Sequence, residues 1–73
     1  MIPVTLVSPD RIDTLPVSQK ALVVVEHIAR SSGTADQGYE VAWSEHGRMI
    51  TIQNISAKAM HHIQTLWSGG HFV

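Results

Sequence analysis

Cysteine is absent from all 73 residues, so no disulfide can hold the fold together. That composition is one a cytosolic protein tolerates. Charge is scarce too, with 5 Lys+Arg against 6 Asp+Glu and a formal net charge of -1. The basic residues Arg11, Lys20, Arg30, Arg48 and Lys58 are scattered, whereas a nucleic-acid binder gathers positive charge to displace counterions. Long apolar runs are missing as well, and none approaches the roughly 18 residues of a membrane span. The opening "MIPVTLVSPDR" lacks a basic leader, a long apolar core and a small-residue cleavage site. A cytoplasmic protein without a membrane segment is therefore expected, with nucleic acid disfavoured as a partner.

What is present is a hydrophobic fraction of 44% with 15% charged residues, the composition of a folded domain. One domain of this length is close to the size at which a single core is only marginally stable. Contact with a partner chain is a natural way to add stability.

Turn signals divide the chain. "IPVTLV" is short, apolar and β-branched, and predicts a first strand over about residues 4–7, ending at "SPD", where Ser8 could cap and Pro9 begin one helical turn. Beyond it, Ala21, Leu22, Val25, Ile28 and Ala29 fall on one helix face with Lys20, Glu26, His27 and Arg30 opposite, which predicts a helix over about residues 16–31. The triplet Val23-Val24-Val25 pulls toward strand, since branched side chains lose rotamers in a helix, but length and periodicity outweigh it. "SSGTADQG" is a polar loop, with Gly33 as helix stop and Gly38 leading into the next strand.

In "YEVAWSEHGRMITIQ" apolar residues recur at every second position on either side of His46-Gly47. A hairpin of strands near 39–45 and 48–54 follows, in which Tyr39, Val41, Trp43, Ile50 and Ile52 share one face and Glu40, Ala42, Ser44, Met49, Thr51 and Gln53 the other. A two-residue His46-Gly47 turn, which needs a left-handed histidine, pairs Glu45 with Arg48 and Trp43 with Ile50; the alternative is a three-residue loop with a bulge. Ser56 then suits an N-cap, with Ile55 and Met60 at the two positions of a hydrophobic staple. Met60, Ile63, Leu66 and Trp67 make the apolar stripe of a last helix over about 57–68, ended by Gly69-Gly70, with a tail at 69–73. The expected fold is α+β, a small two-layer sandwich in the order β-α-β-β-α. Two helices would cover a three-stranded, mostly antiparallel sheet, with Trp43 facing the last helix near Ile63 or Trp67.

Chemistry-bearing groups are few. His61-His62 suggests a metal, but adjacent helical residues point about 100° apart, and no His-x-x-x-His, cysteine or nearby carboxylate completes a site. Ser44, Glu45 and His46 are neighbours in sequence, yet strand geometry sends residues 44 and 45 to opposite faces, away from any triad. "SSGTADQG" lacks the lysine and spacing of a phosphate loop. Trp43 and Trp67 lie on apolar faces, where core packing explains them. No cofactor, metal or catalytic residue is assigned.

The order of helix, hairpin and closing helix resembles part of a double-stranded-RNA-binding domain. That family has three strands between its helices and a lysine-rich start to its last helix; "SAKAMHH" at that position removes the phosphate contacts the resemblance would imply. In size, lack of cysteine and mild acidity the chain is also similar to compact phage and plasmid inhibitors, anti-CRISPR proteins among them. The functional expectation is a non-enzymatic protein-interaction module, a small regulator or inhibitor of a larger macromolecule, that forms a homodimer through its C-terminal tail or first strand. Candidate surface residues are Arg48, Lys58, His61, His62, Phe72 and Val73. The alternative is a nucleic-acid-associated module using Lys58, His61 and His62 with Arg48 beside them.

Overall fold

The computed structural model describes residues 1–32, 34–35 and 41–72. Gly33, Gly38, Tyr39, Glu40 and Val73, to which the sequence assigns roles, lie outside the described residues. Strand β1 (Ile2–Val7) is followed directly by β2 (Ile12–Val17), then a short 3-10 turn (Gln19–Ala21) and helix α1 (Leu22–Ser31). Strands β3 (Ala42–His46) and β4 (Met49–Gln53) form the second hairpin, and α2 (Ala57–Ser68) closes the order. The sheet has four strands in the order β2-β1-β4-β3, with β1 and β4 parallel and the outer pairs antiparallel.

The expected three strands become four because "IDTLPV" is a strand and not the approach to a helix. Its residues alternate, with Leu15 and Val17 buried and Ile12, Thr14 and Pro16 exposed, which is the two-residue period of a half-covered strand. Pro16 is tolerated because β2 is an edge. It stands opposite Pro3, and two prolines can face each other only where the strands exchange no N–H···O bonds. The segment Ser8 to Arg11, read from sequence as a helical turn, is instead the β1–β2 connection. It is closed by Ser8 N–H donating to Arg11 O over 3.0 Å, and the buried Ser8 hydroxyl lies 3.1 Å from both Asp10 Oδ1 and Arg11 O.

The β3–β4 hairpin keeps its expected faces but shifts its register by two residues. Trp43 pairs with Ile52, Ser44 with Thr51, Glu45 with Ile50 and His46 with Met49. The loop is therefore Gly47-Arg48, and Glu45 does not meet Arg48. Gly47 has φ +63°, which glycine adopts freely and histidine does not, so the glycine takes the first central position of the turn.

One core joins the layers: Val4, Leu6, Ile50 and Ile52 from the central strands, Val25, Ile28 and Ala29 from α1, and Ala59, Met60 and Ile63 from α2. Ser56 caps α2, its hydroxyl accepting from Ala59 N–H over 3.1 Å while it lies 3.4 Å from Ser32 O at the end of α1. Asp13 ties β2 to α2, 2.8 Å from Arg11 Nε and accepting a hydrogen bond from Gln64. Trp43, expected near Ile63 or Trp67, instead lines a groove with Ile2, Leu22 and Ile50 beside the start of α1. Trp67, expected in the buried stripe, is 38% exposed.

Phe72, a candidate surface residue, is buried at 1% exposure within the core. The path that brings it there is a Schellman end to α2: Gly70 N–H donates to Trp67 O over 3.0 Å and His71 N–H to Leu66 O over 3.1 Å, with Gly70 at φ +79°. Phe72 O then accepts from Ser18 N–H at 2.9 Å, beside the end of β2. Phe72→Ala should cost about 3 to 5 kcal/mol and leave little folded protein at room temperature, as read by urea denaturation. Gly70→Ala meets open space at its new Cβ, so only the left-handed backbone opposes it, and a loss of about 1 to 2 kcal/mol is expected in the same assay.

Candidate interaction surface

Both helices lie on one face of the sheet, and the other face is uncovered among the described residues. Register places the uncovered residues in three rows across the four strands. The middle row is Thr14, Thr5, Thr51 and Ser44, each the direct partner of the next. Toward one end lie the facing pairs Pro16–Pro3 and Met49–His46, and toward the other Ile12–Val7 and Gln53–Ala42. Thr5 Oγ1 and Thr14 Oγ1 are 3.1 Å apart, so the hydroxyl row is hydrogen-bonded along part of its length. Ile12 is 67% exposed and Met49 48%.

Among the described residues no Asp, Glu, Lys or Arg stands on this face; Glu40, assigned by alternation to the same side as Ala42, lies outside them. The strands hold only two such residues, Asp13 and Glu45, and both pair directly with buried inner-face residues, Leu6 and Ile50. The usual pattern of an antiparallel sheet sends polar and charged groups to the solvated side. Here the charged groups rim the helix side, and the open side is mostly methyls and hydroxyls, with the Gln53 amide and the His46 imidazole in its outer rows.

The other candidate residues are dispersed. Arg48 sits in the hairpin turn, at the mouth of the groove with Trp43 and Glu45. Lys58, His61 and His62 are exposed on α2, where spacings of three and four residues put them on one side of the helix. His61 lines a small cleft with Arg11, Asp10 and Gln64. Arg48 is not beside that group: β4 leads from the turn to the start of α2, so roughly 15 Å of strand separates the two ends. The first strand offers no free edge, because β1 is paired on both sides. Among the described residues the open edges belong to β2 and β3.

Among the described residues no group of three or more His, Cys, Asp or Glu is placed to hold a metal ion. No helix there is long and apolar enough to cross a membrane. No protein-family model matches the chain, and no curated protein or solved structure matches it either.

Thr5, Thr14 and Thr51 were not legible as a site from sequence, because their alignment needs the strand order. The available signal was the lack of charge at alternate strand positions. In the monomeric chain Thr51→Lys should change stability by no more than about 0.5 kcal/mol, whereas Ile52→Lys, one residue along and facing the helices, should unfold the chain. Thermal denaturation of the two variants side by side distinguishes the faces.

Proposed function

We propose that the chain is a small non-enzymatic protein-interaction module, a regulator or inhibitor that works by covering a site on a larger macromolecule. Its binding surface is the outer face of the sheet. The observation that carries this reading is the lattice around Thr5 and Thr51, uncovered and free of charge among the described residues. Interface centres are depleted of charge relative to ordinary surface, and this face has that composition while its strands' carboxylates lie on the other side. The likeness in size and composition to phage and plasmid inhibitors fits the same reading and adds no residue to it.

The nucleic-acid alternative has less support. It retains Lys58, His61 and His62 on α2 but loses Arg48 to the far end of the hairpin, and Arg11 nearby is already paired with Asp13. Too few free cations remain in one place to bind a phosphate backbone tightly.

The test is affinity capture from the native host with the tagged chain and two kinds of variant. Thr5→Lys and Thr51→Lys should abolish capture of a specific protein, whereas Lys58→Ala and His61→Ala should leave it unchanged. The opposite pattern, with a salt-sensitive shift of generic DNA or RNA, would favour the alternative.

A further inference from the structure

We infer that the outer face of the sheet packs against the same face of a second copy of this chain, in a face-to-face homodimer with a two-fold axis. The inference rests on the reading of that face as a binding surface and places a second copy there in the free chain, to be exchanged for the larger partner on binding. Three features select a second copy.

The first is self-complementarity. A two-fold interface sets each group against its own kind or against another group of the same patch. Charged side chains are poorly suited to the middle of such a patch, where like would meet like. Hydroxyls both donate and accept, and methyls pack on methyls. The lattice of Thr14, Thr5, Thr51 and Ser44 between rows rich in Pro, Ile, Val, Met and Ala is made of such groups. Among the described residues His46, at one corner, is its only ionisable residue.

The second is area. Four strands and three rows span a flat footprint of roughly 400 Å² at ordinary sheet spacings. Two copies, with the relief of the side chains, bring the buried total to about 1,000 Å², the lower bound of a specific interface. The dimer is therefore expected to be reversible, forming in the micromolar range. Third, the chain's net charge of -1 opposes association little, and the carboxylates of Asp13 and Glu45 lie on the helix side of each sheet, away from the interface.

A two-fold axis lying in the interface through the middle of the lattice brings Thr5 and Thr51 of one copy against those of the other. This yields a charge-swap experiment. Sedimentation equilibrium of the wild-type chain from low to high micromolar concentration should show a shift from one mass to twice that mass. Thr51→Lys and Thr51→Glu should each weaken association by at least about a hundredfold, since like charges would face each other in a desolvated centre. Mixing the two variants in equal amounts should restore it. A wild-type chain that stays monomeric throughout overturns the inference, as does a dimer that survives both substitutions. Variants that weaken the dimer without recovery on mixing would also overturn it, because the face would then be touching a different part of its copy.

Amide chemical shifts of the wild-type chain give a second readout that needs no substitution. On dilution, changes should be confined to Thr5, Thr14, Thr51, Ser44 and their face neighbours, and changes centred on α2 would contradict the proposal. Failure here is separable from failure of the broader reading. A monomeric chain whose Thr51→Lys variant loses a captured protein keeps the binding face and rejects the second copy. A monomeric chain whose capture is indifferent to Thr51→Lys rejects both.

Discussion

The fold depends on the parallel pairing of β1 with β4. Val4 stands beside Ile50, Thr5 beside Thr51 and Leu6 beside Ile52, and just beyond, Ile55 N–H donates to Val7 O over 3.1 Å. Each hairpin alone is a two-stranded ribbon, which is at best marginally stable in water. Joining them at the centre creates the apolar floor on which both helices rest. The same contact aligns the four hydroxyls of the outer row, so core and surface are two sides of one pairing. It links segments far apart in the sequence, Val4 with Ile50 and Leu6 with Ile52, and such non-local contacts cost loop-closure entropy before they stabilise anything.

Local signals carried the elements that are governed by local chemistry. Ser56 with its staple marks the start of α2, and Val25, Ile28 and Ala29 mark the buried face of α1; both are visible as spacing alone. Alternation in the hairpin reveals which residues share a face, because a slip of one residue would expose the apolar set. A slip of two preserves that pattern, so alternation could not choose between Trp43 opposite Ile50 and Trp43 opposite Ile52. The choice falls to the left-handed backbone at Gly47. Pro16 and Val17 were misread because the apolar residues of β2 run on into the helix pattern, and a proline near a helix start is as acceptable as one on an edge strand.

The candidate surface was less legible than the fold. Residues chosen for charge or for a terminal position were dispersed by folding: Arg48 to one end of the sheet, Lys58 and His61 to the other, Phe72 into the core. The lattice on the outer face is spread over all four strands, and its residues are individually ordinary. Threonine in a strand attracts no notice, since it favours that conformation anyway. Only strand order shows that three threonines and a serine lie in one row and that the neighbouring carboxylates point the other way.

The facing prolines have a consequence for growth of the sheet. Because Pro3 and Pro16 occupy a site without exchanged hydrogen bonds, the nitrogen of Pro16 points outward along the open side of β2, where a strand of another molecule would need a donor and finds none. Ile12 and Thr14 still offer theirs, so the ladder is interrupted at one rung near the end of the strand. Lateral recruitment of strands, the route by which small β proteins drift into fibrils, is thus impeded on this side. The molecule can present one face of its sheet to its surroundings while one of the sheet's two margins resists endless extension at that rung.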